Sequence, residues 1–540
     1  MSRDGILDEG FVPWPRETAE RYRAAGYWTG DRLDAVAQHR LPEHADALAV
    51  VDDASSLTYG DLETRVRLTA TALTEAGIRP RDRALLQLGN RAEFVVTALA
   101  LMRIAAIPVY ALPSHGEREL SDIADTAGAA AVLTAGDGAA LARAEAVRAA
   151  VPSVRAVLRA TELARGGASA EAPPDPRVDV DTGDVAFLQL SGGTTGSPKL
   201  IPRTHDDYLY SVRRSAEVCG LTPDDSMLIL LPVAHNFPMS SPGFLGVLGT
   251  GGTVVLSGPR SPRAVFDRVA ATAATIAPLV PPLALTLVNA AERAGEAVRE
   301  QLASLRLVQV GGAKLAPELA ARIRPALGAN VQQVFGMAEG LVCYTDPDDR
   351  TDRPLLVQGK PMSEADELRV VGPDGRPVPE GTPGDLEVRG PYTIRGYWHA
   401  PEANAASFTA DGYYRTGDVV ARDAEGHLTV HGRSKDHINR GGEKISAEEV
   451  ENLLLGHPGV HDAIVVGVPD AFLGEKAVGV VVPNDPGLTG DDLADHMRRL
   501  KVEALKIPDR FVFRQDYPTT GVGKISRAEL RRRLRAELGG

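Results

Sequence analysis

The chain has 540 residues, which exceeds the usual size of a single hydrophobic core and favours two or more domains. Hydrophobic residues make up 44% and charged residues 24% of it, and these globular proportions exclude a collagen, a coiled coil and a disordered chain. The net charge of −13 is unfavourable for general binding to nucleic-acid phosphates.

Cysteine content and hydropathy bear on the cellular compartment. Cys219 and Cys343 are too few for a disulfide framework and fit a reducing environment. The charged N-terminus (MSRDGILDEGFVPWPRE) has no apolar core of a signal peptide, so we expect a cytoplasmic protein. Two long uncharged stretches, 226–259 and 269–291, contain prolines and polar residues, and we expect buried strands and turns there instead of membrane spans.

The first half of the chain alternates helical and strand patterns. Thr58 and Asp61 stand at capping spacing before an apolar face, and Gly77 follows the last turn, so this segment predicts a capped amphipathic helix. A strand, a helix and a strand are predicted next, over 83–88, 93–104 and 107–110. This βαβ order predicts a sheet that helices cover on both faces.

A compact α+β pattern follows near the C-terminus. Between residues 447 and 500 a helical pattern, two strand patterns and a second helical pattern occur over the length of a small domain. We therefore predict an N-terminal domain of residues 1–433 and a C-terminal domain of residues 434–540.

The last forty residues are basic within this acidic chain, with ten Lys or Arg and five Asp or Glu. The sequence RRRLRAEL near the end predicts a solvated amphipathic helix. The alternative is a docking face for an acidic partner protein.

A predicted buried strand, VAFLQL, runs into the loop SGGTTGSPK at residues 191–199. Close-approach backbone N–H groups, hydroxyls and one lysine form a combination that suits a polyphosphate. The loop is not a Walker A motif, because Ser197 and Pro198 separate the last glycine from Lys199. The sequence predicts a phosphate-binding loop, with an ordinary glycine-rich turn as the alternative.

Four more motifs follow in order: FGMAEG (335–340), YRTGD (414–418), GRSKDHINRGGEKI (432–445) and PTTGVGK (518–524). With the 191–199 loop, this set resembles the adenylate-forming superfamily of acyl- and aryl-CoA synthetases, peptide-synthetase adenylation domains and luciferases. Within that superfamily, LLPVAHNFPMSSPGFLG (230–246) is similar to the stand-alone aryl-acid AMP ligases that activate 2,3-dihydroxybenzoate or salicylate.

The resemblance implies an α/β fold. A large N-terminal domain of helix-covered sheets would carry a barrel-like subdomain, and a small α+β C-terminal domain would be mobile. The active site would lie between the two domains. Lys435 matches the hinge position about which the C-terminal domain turns between two half-reactions.

The resemblance also implies ATP as a substrate and Mg²⁺ as a cofactor. Lys524 matches the catalytic lysine of the family, and His235 matches the ring residue beside the carboxylate and thiol path. Glu339 matches the acidic ligand of Mg²⁺, a hard cation that prefers oxygen. The implied ATP and AMP contacts are Ser191, Gly192, Gly193, Thr194, Thr195, Lys199, Gly312, Ala313, Lys314, Val334, Phe335, Gly336, Met337, Asp418 and Arg433.

For the aryl acid, the resemblance implies that Asn236 pairs with the ortho substituent and Ser241 with a meta hydroxyl. Salicylate-selective relatives tend to carry Cys and Leu where this chain has Ser241 and Val342, so 2,3-dihydroxybenzoate is favoured. An amide both donates and accepts, so Asn236 could serve an ortho hydroxyl or an ortho amine. The implied aryl-acid contacts are Asn236, Phe237, Ser241, Gly311, Gly312, Val334, Val342 and Cys343.

Cys343 stands where the subfamily often has Asn, and it has two interpretations. It is either a core packer or a residue that reshapes the pocket for an ortho-amino acid such as 3-hydroxyanthranilate.

The expected activity is formation of an aryl-adenylate and pyrophosphate, then transfer of the acyl group to the phosphopantetheine thiol of an aryl carrier protein supplied in trans. Siderophore or other secondary-metabolite biosynthesis is the expected context. The alternatives are the same chemistry on salicylate or 3-hydroxyanthranilate, an aryl-CoA ligase, and a nucleotide-binding protein without catalysis. We expect no nucleic-acid or membrane partner, and a monomer or homodimer.

Overall fold

The computed structural model of the protein describes residues 10–164, 174–191, 198–258, 260–349, 351–434, 437–440, 443–470, 473–500, 502–518 and 526–538. The helices are α1 (Arg16–Ala24), α2 (Leu41–His44), α3 (Tyr59–Glu75), α4 (Ala92–Arg103), α5 (Glu117–Ala127), α6 (Gly138–Ala150), α7 (Ala160–Leu163), α8 (His205–Val218), α9 (Asn236–Ser240), α10 (Gly243–Thr250), α11 (Pro262–Thr272), α12 (Pro281–Ala294), α13 (Pro317–Leu327), α14 (Arg353–Leu356), α15 (Pro401–Ser407), α16 (Ala447–Leu455), α17 (Gly490–Arg499) and α18 (Arg527–Leu538).

The strands are β1 (Leu48–Val51), β2 (Ser56–Thr58), β3 (Arg83–Gln87), β4 (Ile107–Ala111), β5 (Ala131–Thr134), β6 (Ala156–Arg159), β7 (Val185–Leu190), β8 (Leu200–Thr204), β9 (Ser226–Ile229), β10 (Thr253–Leu256), β11 (Ile276–Leu279), β12 (Leu307–Gly311), β13 (Asn330–Gly336), β14 (Val342–Tyr344), β15 (Lys360–Pro361), β16 (Glu367–Val371), β17 (Gly384–Arg389), β18 (Tyr414–Arg422), β19 (Leu428–Arg433), β20 (His437–Arg440), β21 (Glu443–Ser446), β22 (Val460–Asp470), β23 (Gly474–Pro483) and β24 (Arg510–Phe513).

Local capping explains where the first predicted helix begins and ends. The Thr58 hydroxyl accepts from the backbone N–H of Asp61, and the Asp61 carboxylate accepts from the backbone N–H of Thr58, which is a capping box. Gly77 follows the helix at a φ of 91°, a conformation that glycine adopts without strain. The predicted helix α3 and the succession β3, α4, β4 are confirmed.

Two sheets build the larger part of the molecule. One has six strands in the order β6-β5-β3-β4-β7-β8, and all of its pairs are parallel except β7 with β8. The other has nine strands in the order β15-β14-β13-β12-β11-β9-β10-β1-β2. Buried residues of both sheets share one hydrophobic cluster, including Leu86 and Tyr110 from the first sheet and Ile229 and Leu256 from the second. The predicted helix-covered sheets are therefore confirmed.

A third sheet, with the antiparallel order β16-β17-β18-β19, occupies the place of the predicted barrel-like subdomain. Within the described ranges its edge strands β16 and β19 do not pair with each other, so the sheet is open.

The C-terminal residues have hydrophobic clusters of their own. A five-stranded sheet, β21-β20-β23-β22 with β24 on β23, packs against α16 and α17 on one face and α18 on the other. The predicted α+β elements are confirmed, and the sequence analysis missed β20, β21 and β24. The predicted amphipathic helix is α18, which buries Leu530 and Leu534.

The two uncharged stretches contain helices as well as strands, which corrects the expectation of strands and turns alone. The first forms β9, α9, α10 and β10, and the second holds β11 and most of α12. Pro281 and Pro282 begin α12 and do not break it, because the first turn of a helix needs no N–H donor there. Among the described helices, none combines the length and the apolar character needed to cross a membrane.

A buried carboxyl group, Asp366, supports strand β14. Tyr392 donates its hydroxyl to Asp366 Oδ2 at 2.6 Å and accepts the backbone N–H of Val342 at 3.2 Å. The other oxygen, Oδ1, is buried without a hydrogen bond in the described part of the chain. Burial raises the pKa of Asp366 to about 8, against the lowering effect of the Tyr392 hydrogen bond.

We predict that Asp366→Asn flattens the pH dependence of stability. Between about pH 4 and about pH 8 the folded protein holds a proton on Asp366 that the unfolded chain releases. The free energy of unfolding therefore falls with rising pH, by up to about 1.4 kcal/mol per pH unit. Urea denaturation at several pH values should show this fall in the parent protein and a shallower one in the variant. Asp374→Asn, at an exposed turn, is the matched control, and equal slopes in parent and Asp366→Asn would contradict the prediction.

Candidate active site

Several of the predicted site residues lie where parallel strands end. Ser191 follows β7, Gly311 is the last residue of β12, and Gly336 is the last residue of β13. Ligands of α/β proteins bind at the carboxyl ends of strands, because the loops there converge on a crevice.

Two hydrogen bonds join the two ends of the predicted phosphate loop. Lys199 donates its backbone N–H to the Ser191 hydroxyl at 3.0 Å, and Ser191 donates its backbone N–H to the Lys199 carbonyl at 2.9 Å. The Lys199 ammonium lies 4.5 Å from the centre of the Tyr397 ring. The predicted contacts Gly192, Gly193, Thr194 and Thr195 lie outside the described residues.

Glu339 lies in the turn between β13 and β14, where it is buried. Tyr397 donates its hydroxyl to Glu339 Oε1 at 2.8 Å, and the hydroxyls of Tyr397 and Tyr414 are 3.0 Å apart. Burial, and after it the Glu339 charge, raises the pKa of Tyr397, so this phenol stays a donor. Tyrosine thus holds one carboxylate oxygen, and among the residues that the structure describes no hydrogen bond reaches the other, which could accept a ligand such as Mg²⁺.

Asp418 and Arg433 face each other across β18 and β19. They are register partners, and Arg433 donates Nε to Asp418 Oδ1 at 3.1 Å. Burial raises the pKa of Asp418, while the Arg433 charge opposes that shift. Arg433 is half exposed, and the pair lies at the edge of open space.

That open space is a cavity of about 590 Å³. Its walls come from residues before 434 and from residues after 446. The predicted nucleotide contacts on its wall are Gly312, Ala313, Lys314, Val334, Phe335, Gly336, Met337, Asp418 and Arg433. The C-terminal wall includes Glu448, Asn452, His461, Asp462, Arg527 and Arg531.

Lys314 joins the two walls of this cavity. Its ammonium donates to the Val430 carbonyl at 2.8 Å and lies 3.4 Å from Glu448 Oε1 on α16. Burial raises the pKa of Glu448, and the Lys314 charge opposes that shift. The ammonium group of this predicted nucleotide contact is thus engaged by two protein oxygens.

The predicted aryl-acid contacts Phe237, Gly311, Val334 and Val342 lie together, with Val334 also on the cavity wall, and we call this group the slot. A β-carbon built on Gly311 would lie 2.8 Å from the Val334 carbonyl oxygen and 3.2 Å from the Phe237 ring, so only glycine fits there. Phe237, Val334 and Val342 belong to one buried cluster with Tyr344. These residues give the slot the apolar surface on which an aromatic ring can pack.

Polar groups stand at the short helix α9 next to this slot. His235 caps the helix, with Nδ1 accepting the backbone N–H of Phe237 at 3.3 Å. Asn236 accepts the hydroxyl of Tyr208 on Oδ1 at 2.8 Å. Ser241 is also buried.

The placement of Cys343 disagrees with its assignment to the aryl-acid pocket. Successive residues of a strand face opposite sides, and Val342 and Tyr344 join the cluster of Phe237 while Cys343 packs in another cluster with Ile201. Of its two interpretations, the geometry supports a core packer, and we withdraw Cys343 from the proposed pocket. Burial raises the pKa of its thiol well above the ordinary value.

Two predicted residues, the catalytic Lys524 and the hinge Lys435, lie outside the described residues. Their roles stay predictions from the motifs in which they stand.

The sequence analysis missed Arg203, Tyr208 and Tyr397, which hold predicted site residues in place. Arg203, on β8, pairs with Asp207 at 2.9 Å and donates to the carbonyls of Ala338 at 2.6 Å and Tyr392 at 3.0 Å. Its guanidinium carbon also lies 4.8 Å from the centre of the Tyr208 ring. The contacts with Ala338 and Tyr392 join residues 135 and 189 positions apart, so local spacing carries no signal for them.

Comparison with known proteins gives two family matches. The AMP-binding enzyme family matches residues 37–398, and the AMP-binding enzyme C-terminal domain matches residues 449–524. The 2,3-dihydroxybenzoate-AMP ligase of Bacillus subtilis (strain 168) is 46% identical, with 98% of each chain covered. The salicyl-AMP ligase / salicyl-S-ArCP synthetase of Mycobacterium tuberculosis (strain ATCC 25618 / H37Rv) is 42% identical, covering 99% of this chain and 96% of that protein.

A solved structure also matches over nearly the full length. Apo MbtA from Mycobacterium smegmatis superposes with a TM-score of 0.74 at 43% identity, covering 97% of this chain and 99% of that chain.

We predict that Arg203→Met destabilises the protein by about 3–5 kcal/mol, because it leaves the buried Asp207 carboxylate without its cation. Burial already raises the pKa of Asp207 to about 6, and the Arg203 charge holds it down from a higher value. Chemical denaturation measures the loss. In the double variant Arg203→Met/Asp207→Asn most of the loss should be recovered, and equal stability of the single and double variants would contradict this explanation.

Proposed function

The chain belongs to the family of AMP-binding enzymes and is an adenylate-forming ligase, and we propose that its substrate is 2,3-dihydroxybenzoate. The slot supports this proposal, because its apolar residues Phe237, Val334 and Val342 lie beside the polar side chains of Asn236 and Ser241. Asn236 would meet the 2-hydroxyl and Ser241 the 3-hydroxyl. The similar protein from Bacillus subtilis, named for the same acid, supports the choice.

In the proposed reaction an oxygen of the aryl carboxylate attacks the α-phosphorus of ATP, and pyrophosphate leaves. Two anions must approach, so fixed cations contribute more than a proton-transfer group does. We assign Lys524 to the carboxylate and the α-phosphate, and Lys199 to the β- and γ-phosphates. Asp418 would accept both ribose hydroxyls, with Arg433 holding its charge. His235 would lie beside the path of the incoming acid and thiol.

Glu339 is the residue that would hold Mg²⁺. Its carboxylate supplies hard oxygen ligands. Tyr397 orients the carboxylate through one oxygen, and the second oxygen would bind the metal. When bound, Mg²⁺ supplies charge neutralisation at the phosphates.

For the second half-reaction we propose a phosphopantetheine thiol on an aryl carrier protein supplied in trans. The sulfur attacks the carbonyl of the aryl-adenylate, the acyl–phosphate bond breaks and AMP leaves. The name of the similar Mycobacterium tuberculosis protein, a salicyl-S-ArCP synthetase, supports a carrier acceptor.

We also propose that residues 1–433 and 434–540 are the two domains, with Lys435 as the hinge. The separate hydrophobic clusters after residue 437 support this boundary. The cavity between the two walls would then be the place where the C-terminal domain delivers Lys524.

We predict that 2,3-dihydroxybenzoate gives the highest kcat/KM in acid-dependent ATP–pyrophosphate exchange among 2,3-dihydroxybenzoate, salicylate, 3-hydroxyanthranilate and benzoate. Leaving the Ser241 hydroxyl unpaired would cost about 1–3 kcal/mol with an acid that lacks the 3-hydroxyl. Ser241→Cys should therefore shift the preference toward salicylate.

An unchanged acid ranking in Ser241→Cys would show that this residue does not meet the 3-hydroxyl. Absence of exchange with every acid would contradict the proposed substrate class.

We predict that Lys524→Ala lowers the exchange rate by about 10²–10³, because it removes a cation from the transition state. Lys476→Ala is the matched control: this exposed lysine of the same C-terminal region pairs with Asp470 away from the cavity lining. Circular dichroism should show both variants folded. Near-normal exchange by Lys524→Ala would remove Lys524 from the proposed role.

A further inference from the structure

The Asn236 amide has its two ends in different surroundings. Oδ1 accepts the hydroxyl of Tyr208 at 2.8 Å, whereas Nδ2 makes no hydrogen bond to any residue that the structure describes. Nδ2 is also not among the fully buried polar atoms that lack a partner, and Asn236 keeps 9% of its surface exposed. The NH₂ group is therefore the end of the amide that remains for a ligand.

Packing around Tyr208 restricts the position of its side chain beside Asn236. The Tyr208 side chain is fully buried on α8, with the Phe187 ring edge-on at 4.6 Å and Arg203 on the ring at 4.8 Å. Burial raises the pKa of Tyr208, against the lowering effect of the Arg203 charge, so the phenol keeps its proton and donates it.

A flipped amide would break this arrangement. Nδ2 would then point at the Tyr208 oxygen, and the phenolic hydrogen would lose its acceptor inside the core, where an unpaired donor is costly. The direction of the Asn236 amide is thus set by Tyr208 and not by the ligand.

The direction of the Asn236 amide determines which ortho substituent of the acid can form a hydrogen bond with it. A phenolic oxygen can accept from the Asn236 NH₂ while it gives its own hydrogen to the neighbouring carboxylate. An aryl amine presents two N–H donors, and its lone pair is delocalised into the ring, so it accepts poorly. Two facing NH₂ groups leave a hydrogen bond unmade.

We propose that Tyr208 is a positioning residue that turns the Asn236 amide toward the aryl-acid slot and so selects ortho-hydroxy over ortho-amino benzoic acids. This inference rests on the proposed function of the slot. It chooses between an ortho hydroxyl and an ortho amine, either of which the Asn236 amide alone could serve.

The test compares pairs of acids that differ only at the ortho position: salicylate with anthranilate, and 2,3-dihydroxybenzoate with 3-hydroxyanthranilate. Acid-dependent ATP–pyrophosphate exchange by the full chain gives kcat/KM for each. The parent protein should favour the hydroxy acid of each pair by at least about tenfold, and Tyr208→Phe should reduce this ratio by about tenfold. Benzoate, which has no ortho substituent, should keep its parent kcat/KM, which a general loss of structure would not allow.

Two further variants isolate the amide. Tyr210→Phe removes another buried hydroxyl of the same helix, one that bonds Ser363, and should leave the hydroxy-to-amino ratios unchanged. Asn236→Ala should lose the discrimination, and Tyr208→Phe/Asn236→Ala should lose no more than Asn236→Ala alone, because Tyr208 acts through Asn236.

A parent protein that favours the ortho-amino acid of either pair would overturn this inference while leaving the aryl-acid ligase standing. Unchanged ratios in Tyr208→Phe would overturn it as well. If Tyr208→Phe does not fold, the parent ratios together with the Asn236→Ala ratios decide. Absence of exchange with all five acids would overturn the proposed function and this inference with it.

Discussion

The buried guanidinium of Arg203 is the interaction on which the rest of the site depends. It neutralises Asp207, which itself caps helix α8, and it holds the carbonyl of Ala338 one residue before Glu339. Its contact with the Tyr208 ring reaches the other side of the site, where Asn236 begins α9. A single cation therefore links the proposed metal ligand to the proposed acid-binding amide. Removing one partner of a buried ion pair leaves an uncompensated charge, so we expect the elements that Arg203 contacts to keep their relative positions.

The second constraint is the absence of a side chain at Gly311. This residue ends β12 in register with Val334, and its empty α-carbon face lies against the Phe237 ring. A methyl group there would press on both, so the Phe237 ring can lie against this strand end only because the strand ends in glycine. The predicted nucleotide contacts Gly312 to Lys314 continue directly from it. The acid and the nucleotide would thus be aligned by consecutive positions of one strand end, which is how rigid elements hold two reactants at a fixed separation.

Much of the fold was predictable because the responsible contacts are local. Residues close together in sequence determine both the Thr58 and Asp61 capping box and the alternation of strands and helices. The motifs at 335–340 and 414–418 predicted Glu339 and Asp418 as site residues from neighbouring residues in the same way. Tyr208 and Tyr397 could not be identified, since their partners Asn236 and Glu339 lie 28 and 58 residues away. Cys343 was ambiguous because a one-residue shift along β14 changes the face on which a side chain packs, and sequence alone did not supply the register.

The ion pair between Lys314 and Glu448 opposes separation of the two cavity walls. The Lys314 ammonium is shared between the Val430 carbonyl on β19 and the largely buried Glu448 on α16. Any relative movement of α16 and β12 must either carry Lys314 along or leave Glu448 without a cation. Separation of the walls would also remove the burial that raises the pKa of Glu448, so water could hydrate the released carboxylate. Separation would therefore replace one largely buried ion pair by two hydrated charges, and an anion that binds Lys314 would favour the separated state.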